Sequence, residues 1–92
     1  MKGEIVLENN LVATIYEAID NYQMIKMEIH TGSFGANISF YPEGVDEGSN
    51  NIIIYSDENI YVIDTTNVSW DELEDRYICT NDNCIVSISM EY

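Results

Sequence analysis

Residues 51–64 read NIIIYSDENIYVID. Two β-branched, apolar runs, Ile52–Tyr55 and Ile60–Ile63, flank a polar tip, Ser56-Asp57-Glu58-Asn59. Short apolar runs separated by residues that favour turns are the pattern of a β-hairpin. Successive side chains on a strand point to opposite faces. Ile52 and Ile54 therefore share one face, and Ile53 and Tyr55 share the other. Both faces are apolar, which predicts a central strand buried on both sides.

The neighbouring segments extend this core. Residues 24–30 alternate, with Ile25, Met27 and Ile29 facing one way and Lys26, Glu28 and His30 the other. This is the pattern of a strand with one wet face. The Thr31-Gly32-Ser33-Phe34-Gly35 segment makes a turn, and Ala36–Tyr41 returns as a second strand. The following PEGVDEGSN, Pro42 to Asn50, reads as an acidic break: Pro42 brings no N–H to a ladder, and Gly44 and Gly48 loosen the chain. The last strand spans Cys84–Tyr92, with Val86, Ile88 and Met90 inward.

Two segments read as helices. In Asn9–Tyr22, Leu11, Ile15, Ile19 and Tyr22 recur at helical spacing, with Asn9 or Asn10 as cap. Gly3–Leu7 ahead of it is a short strand or an extended lead-in. The second helix starts at Ser69. Ser69 and Glu72 form a capping box, Val68 and Leu73 a hydrophobic staple, and Arg76 pairs with Glu72 at a spacing of four. The expected order is helix, four strands, helix, strand. It describes an α+β domain in which an antiparallel sheet of about five strands carries both helices on one face. The 92 residues suffice for one domain with a single modest core, burying roughly 60–65% of the unfolded surface.

Charge is the outlying property. Seventeen Asp and Glu stand against three Lys and Arg, a net charge of −14. Direct binding to nucleic acid or to an anionic membrane needs Lys and Arg at the phosphates, so this balance argues against both and for a basic protein partner. Residues 1–8 lack the apolar core of a targeting peptide, and no run approaches the roughly 20 apolar residues of a membrane span. A cytoplasmic protein is expected, monomer or homodimer. Asn37-Ile38-Ser39 and Asn67-Val68-Ser69 match the glycosylation triplet by chance on this reading.

Chemistry-bearing constellations are few. Cys79 and Cys84 suit a hairpin disulfide if they flank a tight turn, or free thiols in a reducing cytosol. As zinc ligands they lack the usual spacing, and only His30 adds a third soft donor. His30 ends a strand on its polar face with no partner nucleophile fixed beside it. Neighbouring carboxylates are too abundant to single out an acid and a base. No segment matches a calcium loop, and there is no phosphate-binding glycine loop. Neither an enzyme nor a cofactor is indicated.

What remains is the distribution of acid. It falls in three clusters: Glu43, Asp46 and Glu47; Asp57 and Glu58; and Asp71, Glu72, Glu74 and Asp75, with Trp70 beside the last. Tyr41, Tyr55, Tyr61 and Tyr77 are interleaved with them. Carboxylates two residues apart on a strand lie about 6.8 Å apart, close to twice the phosphate step of about 3.4 Å along a DNA strand. Tyr and Trp are frequent interface anchors. These ten residues form the expected partner-binding set. In size, charge and the segments EGVDE, SDEN and WDELED, the chain resembles the small acidic inhibitors that phages carry against bacterial defence, the anti-CRISPR and anti-restriction DNA mimics. The resemblance implies a cofactor-free inhibitor that occupies the nucleic-acid surface of a defence nuclease, a CRISPR effector above all. An immunity protein for a basic toxin nuclease fits the same surface, and a calcium- or metal-binding module is the alternative from another class.

Overall fold

The computed structural model describes the backbone of residues 2–91 and the side chains of residues 10–91. One helix, α1 (Lys2–Asp20), precedes eight strands: β1 (Ile25–Thr31), β2 (Gly35–Phe40), β3 (Gly44–Glu47), β4 (Asn51–Tyr55), β5 (Ile60–Asp64), β6 (Val68–Asp71), β7 (Arg76–Thr80) and β8 (Cys84–Met90). The strands form two antiparallel sheets, ordered β2-β1-β8-β7-β6 and β3-β4-β5. The α+β class holds, but with one helix instead of two and two sheets instead of one.

Helix α1 presents Leu11, Val12, Ile15 and Ala18, all buried, to the interior. It is longer than expected: Gly3–Leu7 is helical, neither strand nor lead-in, and Asn9-Asn10 lie within the helix instead of capping it. Leu7 precedes Leu11 by four, so the apolar spacing runs on upstream, and Glu4, Leu7 and Glu8 are good helix formers. At the other end, Tyr22 does not continue the buried stripe; it is 87% exposed. Its φ of 51° places it in the left-handed position of a Schellman cap, with Gln23 N–H donating to Ala18 O (2.9 Å) and Tyr22 N–H to Ile19 O (3.4 Å).

The larger correction concerns Ser69–Ile78, which is the β6–β7 hairpin and not a helix. Trp70 lies opposite Tyr77, and Val68 opposite Cys79. The segment alternates with period two as well as it fits a helix: Val68, Trp70, Tyr77 and Cys79 share one face, Ser69, Asp71, Arg76 and Ile78 the other. Pairing of β7 with β8 buries Val68 and Cys79, which a solvated helix here would not do. Leu73, the expected staple, sits on the turn and is 95% exposed. Nor does Arg76 pair with Glu72; strand geometry sets it against Asp71.

The acidic break between Pro42 and Asn50 contains β3, which pairs Val45 with Ile54 and Glu47 with Ile52. The expected β4–β5 hairpin forms, with Ile52 opposite Ile63 and Ile54 opposite Tyr61. It belongs to the small sheet, however, and only one of its faces is sealed. Ile52 and Ile54 are fully buried, whereas Ile60 and Val62 are 64% and 65% exposed.

The core is shared three ways. Buried side chains come from α1, from the large sheet (Ile25, Met27, Val68, Cys79, Ile88) and from the small one (Val45, Ile52, Ile54, Ile63). Helix α1 packs against β3 and β6, so it bridges one edge of each sheet. Phe40 of β2 stacks on Tyr61 of β5, centroids 4.6 Å apart. The free edge of the small sheet is β5. Ser56 N–H donates to Asn59 O and Thr65 N–H to Asn50 O, both 2.9 Å. Alternation from these two pairs turns the backbone groups of Ile60, Val62 and Asp64 away from β4.

Candidate acidic interface

The outer face of the five-stranded sheet gathers Lys26 and Arg76, the Lys and Arg among the residues whose side chains are described. Lys26 Nζ lies 3.3 Å from Glu28 Oε2, Arg76 Nη1 3.2 Å from Glu28 Oε1, and Arg76 Nε 3.1 Å from Asp71 Oδ2. The register explains the grouping, since β1 and β7 both flank β8, with Glu28 opposite Ser87 and Ile78 opposite that same serine. The side chains of Arg76, Glu28 and Asp71 are each less than a third exposed. Asp71 also accepts the Leu73 N–H at 3.2 Å. It is thus a structural carboxylate that closes the β6–β7 turn. His30 is exposed and lies 3.9 Å from Glu28.

Among the described residues, this grouping leaves the other carboxylates without Lys or Arg partners. Lys26 and Arg76 are the only Lys and Arg whose side chains are described, and both are engaged by Glu28 and Asp71. Glu43, Asp46, Glu47, Asp57, Glu58, Glu72, Glu74 and Asp75 are exposed, and none has an ion pair among the described residues. Asp46 on β3 accepts the Tyr55 hydroxyl at 2.7 Å across the sheet. That hydrogen bond, with lesser contributions from desolvation and the nearby charge, raises the phenol's pKa. Glu72, Glu74 and Asp75 occupy the four-residue β6–β7 turn, where Asp75 takes a left-handed φ of 54°, a conformation Asp tolerates better than most.

The two acidic tips share one end of the molecule. The β6–β7 turn lies where β8 ends and β1 begins, because Ile25 is opposite Met90 and Tyr77 is opposite Ile88. The β4–β5 tip lies there too: a surface depression is walled by Met24, Phe40 and Tyr41 together with Glu43, Asp57 and Glu58. Between the tips, Ser39 donates a hydrogen bond to Glu91, a carboxylate outside the expected set. Sequence reasoning also missed Glu17 on α1. It lines a cavity with Asp75, Trp70 and Tyr77, a proximity that depends on the sheet register and so left no local signal. Trp70 is 41% exposed and tilts against Tyr77, centroids 4.8 Å apart at 59°.

At the opposite end, Asp64 accepts the Thr66 N–H at 2.8 Å. Its hydrogen bonds to Thr66, side chain and backbone, hold its pKa below the ordinary carboxylate value. Asp64 and Asp82 line a polar recess with Asn67, Asn81 and Asn83. No three His, Cys, Asp or Glu side chains among the described residues converge as a metal site. Cys79 and Cys84 are not joined by a disulfide; Cys79 lies opposite Val86, not opposite Cys84, so the hairpin register does not juxtapose them. No helix among the described residues is long and apolar enough to cross a membrane. No protein-family model, curated protein or solved structure matches the chain.

Proposed function

We propose that the protein is an inhibitor that binds the basic, nucleic-acid-handling surface of a bacterial defence nuclease, a CRISPR effector being the best fit, by presenting carboxylates in place of phosphates. One observation carries this reading. The described cations that could neutralise the acidic tips are drawn off into the Lys26–Glu28–Arg76–Asp71 network on a sheet face, while Glu43, Asp57 and Glu58 at one tip and Glu72, Glu74 and Asp75 at the other have no ion pair among the described residues and lie at one end of the molecule. A concentrated, unpaired negative surface raises association rates with a basic cleft and makes them salt-sensitive. The longest dimension, 33 Å, spans about ten phosphate steps of about 3.4 Å.

The test is inhibition of nucleic-acid binding by purified effector nucleases, measured against sodium chloride concentration. Glu72→Lys with Glu74→Lys, and separately Asp57→Lys with Glu58→Lys, should each weaken inhibition by about tenfold or more. All four side chains are exposed, so the fold survives. Inhibition that is indifferent to salt and to both double variants removes the proposal.

A further inference from the structure

A cavity of about 410 Å³ opens between α1 and the end of the five-stranded sheet. Trp70 and Tyr77 line it, their rings tilted at 59°. Ile88, fully buried, supplies apolar wall. Glu17 from α1 and Asp75 from the β6–β7 turn bring a carboxylate from each side. The Tyr77 hydroxyl lies 3.5 Å from Thr14 Oγ1, which itself donates to Asn10 O at 2.9 Å, so the ring is tethered to the helix.

We infer that this cavity receives an organic cation, a guanidinium or ammonium group. Aromatic faces attract cations through their quadrupole when the charge lies within about 6 Å of the ring centre, and Trp is the strongest of them. The two carboxylates among the lining residues add Coulomb attraction on the same sign of charge. The protein's own described cations do not satisfy them, because Lys26 and Arg76 are held by Glu28 and Asp71 on the outer face of the sheet, whereas Trp70 and Tyr77 belong to the inner face. A small apolar ligand would leave both carboxylates unused, and an anion would be repelled. The source of the cation is an arginine or lysine side chain of a partner or a free ammonium compound. The first of these rests on the reading proposed above.

Trp70 is the single tryptophan of the chain, so intrinsic fluorescence reports on the cavity directly. Arginine amide, a Gly-Arg-Gly amide peptide and tetramethylammonium chloride are titrated into the full chain, with sodium chloride at matched ionic strength as reference. The expected result is saturable change with the organic cations beyond the sodium response, weakened about fivefold or more when Glu17→Gln is combined with Asp75→Asn. Both residues are exposed, and circular dichroism verifies that the double variant is folded. No saturation beyond sodium, or an unchanged response in the double variant, overturns the inference. Tighter binding of the peptide than of tetramethylammonium assigns the cavity to a partner's arginine; the reverse order assigns it to a free ammonium ligand. The titration needs no nuclease, so the two proposals fail separately. A silent Trp70 with tip-dependent nuclease inhibition removes the cavity alone, and a saturable Trp70 response with no inhibition removes the nuclease reading alone.

Discussion

The β4–β5 and β6–β7 hairpins look alike in outline. Each pairs two short strands around a four-residue acidic tip, residues 56–59 in one and 72–75 in the other. They are held by different forces. The first is an apolar hairpin, with Ile52 and Ile54 fully buried and a tip that closes on itself through Ser56 and Asn59. The second buries Val68 and Cys79 near its base only. Towards the tip it depends on the Trp70–Tyr77 contact and the Arg76–Asp71 pair, and it takes its turn through a left-handed Asp75. Burial stabilises one; polar and aromatic contacts across the ladder stabilise the other. An element of the second kind presents more of its side chains to a partner, which is why the candidate cavity lies beside it.

The sharpest way to break this contrast is to truncate one apolar residue in each. Ile54→Ala should cost about 2–5 kcal/mol, while Leu73→Ala should stay within about 0.5 kcal/mol, as urea midpoints will show. A large loss at Leu73 would restore a packed role to the second tip. Next in size is Arg76→Gln, expected to cost about 1 kcal/mol because it leaves the partly screened Asp71 without a cation and Glu28 with Lys26 alone. Its hydrogen-exchange signature should be faster opening of β6 and β7, with β4 and β5 unchanged. Asp75→Gly should stabilise by about 0.5 kcal/mol, since glycine adopts the left-handed region without strain. No residue of the first tip has a positive φ, so glycine at Asp57 or Glu58 should not help. The smallest effect is in pH. The Asp64 pKa is lowered in the folded state, so its contribution is present above the ordinary carboxylate pKa and is lost as pH falls through the lowered folded value. Asp64→Asn should flatten the acid limb of the stability profile by removing the contribution that the carboxylate makes above its ordinary pKa, so the loss shows at neutral pH and vanishes in acid.

The same two hairpins show how far the sequence can be read. The strands β1, β2, β4, β5 and β8 declare themselves because alternation and turn residues agree. In the β6–β7 segment two local codes compete. Ser69 and Glu72 satisfy a capping box, while Val68, Trp70, Tyr77 and Cys79 satisfy a strand face, and only the long-range pairing with β8 decides between them. Strand β3 was hidden because Gly44, Asp46 and Glu47 are poor strand formers individually; pairing with β4 and packing of Val45 override them. Membership of the hairpin in a separate small sheet has no local cause at all. For the candidate interface, the acidic clusters were legible as composition. Which carboxylates are engaged was not, since Asp71 meets Arg76 by strand register, and Glu17 and Asp75 come to line one cavity only through the folded chain.

The open flank of β5 has a consequence for how the protein behaves in quantity. Ile60 and Val62 are largely exposed on a strand whose outer backbone groups face away from the sheet, the kind of margin that recruits a further strand from a neighbour. Proteins commonly guard such margins with a lysine or a proline placed on them; this one has neither there. Its safeguard is colloidal, the mutual repulsion of molecules each bearing a net charge of −14. The acidity proposed to suit a basic partner therefore also keeps copies apart. Mild acid or concentrated salt, by discharging or screening the carboxylates, should cause molecules to join margin to margin before any of them unfolds.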